Sequence, residues 1–147
     1  MKKFLLLVFT LLLIGVTAVK ADTSIALEKE EETTMMITIG EHTLYVRMDN
    51  NPSADALLAL LADGPQTISA SNYGGFEKVC PLGTHLPSSD EYTVTHPGDV
   101  MLYASSNIVI FHGSNSWEYT RLGWIEDTAG LTAILSGHDT EITLSLK

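Results

Sequence analysis

Two short apolar runs, set close together, constrain this chain more than any other feature. Pro97-Gly98-Asp99 leads into Val100-Met101-Leu102-Tyr103, and after the small residues around Ala104 to Ser106 comes Asn107-Ile108-Val109-Ile110-Phe111-His112-Gly113. Each run has the length of a strand and is too short for a typical helix. Neither alternates between apolar and polar, so both faces must be covered. The pair predicts adjacent strands in the middle of a compact β core, joined by a turn at Ala104 to Ser106.

The N-terminal end has a different character. Lys2 and Lys3 precede an apolar segment from Phe4 to Val16, and Val19-Lys20-Ala21 places small residues where a signal peptidase reads. Residues 1–21 are expected to be a signal peptide, and the protein to be exported to the periplasm or the medium. Cleavage after Ala21 removes three of the eight basic residues and leaves five against eighteen acidic ones, a formal charge of −13. A surface so acidic repels phosphate backbones and anionic lipid heads. Nucleic acid is therefore excluded as a partner, and so is a membrane surface once the signal is removed. Cys80 is the single cysteine, so no internal disulfide can form, and packing must hold the domain. A buried, inert thiol is the expectation for it.

Residues 22–34 contain Glu28-Lys29-Glu30-Glu31-Glu32, expected to be an acidic flexible linker before a domain spanning 35–147. Gly40-Glu41 separates two strand-like segments, Met35 to Ile39 and His42 to Met48, as a hairpin turn would. The period then changes. Asn51 can cap a helix with Pro52 at its first position, and Ala54, Leu57, Leu58 and Leu61 recur at helical spacing before Gly64-Pro65 ends it. A strand is expected around Ile68. From Ser71 to Asp90 regular patterning is lost, apart from a short strand at Glu77 to Cys80, and a long functional or mobile loop is expected there. Further strands fall at Tyr92 to Thr95 and Trp117 to Ile125. Asp127 is expected to cap a short helix carrying Leu131, Ile134 and Leu135, and Ile142, Leu144 and Leu146 share one face of a last strand. The count is about eight strands and two helices, a mainly β domain whose helices pack on the core and plug the ends of a barrel.

Four segments, Ser71-Asn72-Tyr73-Gly74-Gly75-Phe76-Glu77-Lys78, Pro97 to Tyr103, Ile108 to Gly113, and Tyr119-Thr120-Arg121-Leu122-Gly123-Trp124-Ile125, occur in this order. Together with the helix after Asn51-Pro52, the series resembles the bacterial cyclophilin-like-fold proteins over roughly residues 35–146. That resemblance implies a closed eight-stranded cyclophilin-like β-barrel capped by two short helices. It does not carry an activity with it. Cyclophilins isomerise X-Pro bonds, but their Phe-His-Arg strand, Gln-Gly-Gly-Asp turn and Trp-Leu-Asp-Gly-Lys-His segment have no counterpart here.

Candidate site residues follow from chemistry. Tyr73, Gly74, Gly75, Glu77 and Lys78 form a loop in which paired glycines let backbone N–H groups approach a ligand, flanked by opposite charges; the plainer reading is a tight turn with a surface ion pair. Phe111 and Tyr119 would add apolar walls. A prolyl isomerase needs an arginine beside an apolar slot, and Arg121 near Trp117, Tyr119 and Trp124 is the better placed of the two beyond the signal, unless it pairs with Glu118, Glu126 or Asp127. The five histidines show no metal-ligand spacing, and no nucleophile elbow or phosphate-binding loop is present. No cofactor and no metal are expected. The expected function is non-catalytic binding of a peptide or small molecule at Tyr73, Gly74, Gly75, Glu77, Lys78, Phe111, Tyr119 and Arg121. A divergent peptidyl-prolyl cis-trans isomerase is the alternative, and a structural partner in a larger assembly a third possibility.

Overall fold

A computed structural model describes residues 33–147; the expected signal peptide and nearly all of the expected acidic linker lie outside the described residues. The elements are β1 (Thr34–Ile39), β2 (His42–Met48), α1 (Pro52–Ala62), β3 (Gln66–Tyr73), β4 (Glu77–Pro81), β5 (Glu91–Val94), β6 (Asp99–Tyr103), β7 (Asn107–Phe111), β8 (Ser116–Ile125), α2 (Leu131–Leu135) and β9 (Thr140–Leu146). Every strand pairing is antiparallel. The order β2-β1-β9-β3-β4-β7-β6-β8 returns to β2 through Val46 to Met48 against Ile125 to Gly123, so eight strands close a barrel. The ninth, β5, lies outside that closure and pairs only with the first half of β8.

Alternation along each strand decides what fills the barrel. Met35, Ile37 and Ile39 of β1, Leu44, Val46 and Met48 of β2, Val100 and Leu102 of β6, and Ile108 and Ile110 of β7 belong to one buried cluster. Cys80 is wholly buried in it, as the sequence leads one to expect. Met101, Val109, Phe111 and Tyr119 form a second buried cluster with Phe76 against it, from the opposite face of the same strands. The two unbroken apolar runs are therefore covered on both sides. Between Val100 and Met101 the register with β8 shifts, so that Leu122 is an extra residue on β8, a bulge that bends this long strand around the barrel.

The first helix forms where the sequence places it. Asn51 sits in extended backbone and its Oδ1 accepts from the Ala54 N–H at 2.9 Å, with Pro52 next in the chain. The second differs. Its N-cap is Gly130 at φ 68°, and Asp127 instead accepts from the Ala129 N–H at 2.9 Å in a turn of its own. Three residues separate Asp127 from the first helical position, and its local turn takes up the side chain. Both helices bury leucines in the barrel: Leu57 and Leu61 from α1, Leu131 and Leu135 from α2. Helix α1 precedes β3 and α2 precedes β9, and these strands are antiparallel neighbours with Gln66 opposite Leu144 and Ala70 opposite Thr140. The helices consequently enter at opposite ends.

The expected long loop is largely absent. The third strand continues to Tyr73, and Gly74 and Gly75, at φ 60° and 72°, make a tight turn closed by the Phe76 N–H donating to the Tyr73 carbonyl at 3.3 Å. The polar residues Ser71 and Asn72 hid this continuation of the strand expected around Ile68, because the segment from Ser71 to Tyr73 is exposed and Asn72 turns to polar partners. Residues 82–90 alone stay irregular, pinned by Ser53 Oγ donating to the Pro87 carbonyl and by the Ser89 N–H donating to Thr120 Oγ1.

Candidate functional site

On the outer face of the β4-β7-β6-β8 wall, pleating brings forward the residues that alternate with the interior set. Glu77 stands opposite Phe111, Val79 opposite Val109, and Tyr103 opposite Asn107. The β3–β4 turn adds Tyr73, and the start of β8 adds Trp117 and Tyr119. These side chains line a cleft of about 400 Å³, together with Asn115. Tyr119 and Glu77 are buried at its base, whereas Tyr73, Trp117 and Tyr103 are 62%, 57% and 41% exposed and form its rim.

Ring contacts hold the aromatic members in place. Phe111 and Tyr119 meet edge to face at 5.5 Å between centroids, Tyr103 and Tyr119 at 6.1 Å, and Tyr73 and Phe76 at 6.1 Å. Asn115 Nδ2 donates to the Tyr119 hydroxyl at 3.0 Å, fixing the phenol at the base of the cleft. Burial, more than the neighbouring Glu77, Tyr103 and Tyr73, pushes that phenol above its ordinary pKa.

Glu77 is the anomalous group. It is only 6% exposed, and its Oε2 is sealed from solvent without a hydrogen-bond partner, alone among the buried side-chain polar atoms of the described residues. Burial pushes its carboxyl up to about 7, because no neighbouring charge offsets the lost hydration. The next residue faces the other way. Lys78 is wholly buried on the interior side, where Nζ donates to Asn72 Oδ1 at 2.9 Å and to the carbonyls of Gly137 and His138 at 3.3 and 3.1 Å. Glu77 and Lys78 therefore form no surface ion pair. Lys78 also lies close enough to His112 to add to the burial that lowers that imidazole's pKa, and close enough to Cys80 to oppose part of the burial that pushes the thiol up to about 12.

Of the residues singled out in the sequence, the structure gathers Tyr73, Glu77 and Tyr119 along one cleft, with Phe111 packed beneath Tyr119. Gly74 and Gly75 shape the adjoining turn. Lys78 is turned into the barrel, and Arg121 lies elsewhere. Its Nε is 3.2 Å from Asp49 Oδ2, its Nη2 donates to Asp99 Oδ1 at 3.2 Å, and its guanidinium carbon is 5.5 Å from the Trp124 ring centroid. It meets none of Glu118, Glu126 and Asp127 in these contacts. Arg47 is the one that pairs with Glu126, at 3.1 Å. Arg121 lines two other depressions, one with Asp49, Asp99 and Trp124, the other, of about 590 Å³, with Asn51, Ser89, Tyr119 and Thr120. Tyr103, Trp117, Asn107 and Asn115 were not anticipated in the cleft. Tyr103 and Asn107 flank a hairpin turn and face the same way as Glu77, a coincidence visible only once the register is known.

A family model described as "Cyclophilin-like family" matches residues 37–147. The solution structure of a hypothetical protein from Archaeoglobus fulgidus superposes with a TM-score of 0.62 at 15% identity, covering 79% of this chain and 95% of that one. At that identity the likeness is one of fold. No curated protein matches the chain.

Proposed function

The chain belongs to the cyclophilin-like family, and from that premise we propose that it is a non-catalytic binding domain whose ligand, a peptide or a small molecule, lies in the outer cleft beside Glu77. One observation carries the reading: aromatic side chains pre-set around a roughly 400 Å³ concavity, with a single buried acid at its base. That is the size and chemistry of a small-ligand pocket, apolar walls with few polar anchors. No guanidinium, imidazole or thiol stands among the residues lining it. Arg121, which an isomerase mechanism would use, is held outside the cleft by two carboxylates. The Lys2 to Ala21 pattern supports export, and mature protein beginning at Asp22 is the expected mass-spectrometric result.

Thermal denaturation across peptide and metabolite libraries tests the proposal. A ligand that binds only the folded state raises the midpoint, and at about 100-fold its Kd it stabilises by about 2.7 kcal/mol. Saturable shifts that disappear in Trp117→Ala are expected. Isomerisation of a proline peptide should proceed at its uncatalysed rate; acceleration that vanishes in Arg121→Ala would overturn the non-catalytic reading.

A further inference from the structure

We propose that the outer cleft receives an organic ammonium group, seated among Tyr73, Tyr103, Trp117 and Tyr119 and charge-paired with Glu77. The inference rests on the binding-domain reading and adds the chemical class of the ligand.

A carboxylate out of water is costly unless a partner supplies positive charge or hydrogen-bond donors. Elsewhere the protein meets this requirement. Asp99, also buried, accepts from the His96 N–H and from Arg121. Glu77 Oε2 has no such partner. The side chains that share its cleft are the rings of Tyr73, Tyr103, Trp117 and Tyr119 with Val79, Asn107 and Asn115, and Phe111 stands opposite it on β7; none of them is cationic. The one nearby cation, Lys78, points to the other side of the sheet with its three donors occupied.

The same aromatic rings that fail to neutralise Glu77 are suited to a cation brought from outside. Ring faces carry negative potential and attract ammonium groups within about 6 Å, most strongly for indole and where water is excluded. Trp117 and Tyr73, both largely exposed, offer such faces at the rim, while Asn115 holds the Tyr119 hydroxyl in one position below. The chain's formal charge of −10 favours approach of cations and disfavours anions.

Proton linkage provides the signature. Burial holds the carboxyl partly protonated near neutral pH, so an ammonium ligand must displace a proton from Glu77 in order to pair with it. Affinity should therefore rise as pH passes upward through about 7. A neutral ligand that accepts a hydrogen bond from the protonated acid would show the reverse.

The test titrates the purified protein with choline, with capped trimethyllysine in a short peptide, and with the neutral isostere 3,3-dimethylbutan-1-ol, following indole fluorescence and calorimetry from about pH 5.5 to 8.5. The two cations are expected to bind at least about tenfold tighter than the alcohol, more tightly at the alkaline end, with preference and pH slope both lost in Glu77→Gln. Choline binding better than the peptide identifies a free amine; the reverse order identifies a side chain of another protein. Equal binding of the isostere, or affinity falling with pH, overturns the ammonium assignment while leaving the binding reading intact. Silence toward amines alongside saturable binding of other compounds has the same consequence. Silence toward every class removes both. Should Glu77→Gln fail to fold, the wild-type pH slope and the isostere comparison still decide.

Discussion

Adjacent residues on one strand meet opposite fates. Lys78 brings three donors into the barrel and finds three oxygens, which ties the segment after α2 to β3 and β4. Glu77 is turned to the outer cleft and finds none for Oε2. Its carboxyl is pushed up to about 7 from an ordinary 4.5, so the folded state holds its proton more tightly than the unfolded chain does. The stabilising contribution is therefore complete below about pH 4.5 and is lost as pH rises through 7. His112 acts in the opposite sense: its lowered pKa gives stability that is present above about 6.5 and lost as pH falls. Subtracting the Glu77→Gln profile from that of the wild type isolates the first effect. In urea denaturation the variant should gain on the wild type by up to about 2–3 kcal/mol at pH 8 and match it near pH 4. A variant weaker at pH 8 would mean that the ionised carboxylate has a favourable partner.

At the scale of elements, two hairpin turns frame the cleft and solve the same problem differently. Each is a three-residue connection, Tyr73 standing opposite Glu77 and Tyr103 opposite Asn107, whose β-turn has positive φ at both central residues. The β3–β4 turn meets this with Gly74 and Gly75, whereas the β6–β7 turn uses Ala104 at φ 48° and Ser105 at φ 61°, closed by the Ser106 N–H donating to the Tyr103 carbonyl at 3.3 Å. A non-glycine residue in this region costs about 1–2 kcal/mol. Ala104→Gly is expected to raise stability by about 0.5–1 kcal/mol, read from the shift in denaturation midpoint; a loss of stability would show that the turn carries no backbone strain. These turns also show where sequence reading succeeds and where it stops. The unbroken runs at Val100 and Ile108 and the Asn51-Pro52 cap were legible because their signals are local. The end of the third strand was not, since Ser71 and Asn72 lack an apolar period and Asn72 instead accepts from Lys78 and donates to the Gly137 carbonyl. Arg121 finds Asp49 and Asp99 far along the chain, so its neighbours in sequence misdirect.

Closure of the barrel belongs to the whole molecule and has no local signature at all. It depends on the seam between β2 and β8, where Gly123 lies opposite Met48 and a Cβ on Gly123 would come within 2.2 Å of the Arg47 carbonyl oxygen and 3.1 Å of the Met48 Cα. Both obstacles are backbone, so they cannot swing aside as a flexible side chain would. The sequence displays this glycine in the Tyr119 to Ile125 segment but gives no hint of what approaches it. Gly123→Ala should force the seam apart, at a cost of about 1–3 kcal/mol, and expose two strand edges able to pair with other chains. The amides of Asp49 and Glu126 report on it directly, since they donate across the seam to the carbonyls of Leu122 and Tyr45 at 2.9 and 3.0 Å. Hydrogen exchange in the variant should accelerate most at those two amides, with lesser change at the β6–β7 ladder on the far side of β8, and self-association should increase with concentration. Uniform acceleration throughout would instead mean that the barrel opens only by unfolding as a whole, because exchange through global opening gives every core amide the same free energy. Unchanged exchange at Asp49 and Glu126 would show that the seam accommodates the methyl group, and that closure does not depend on the missing side chain.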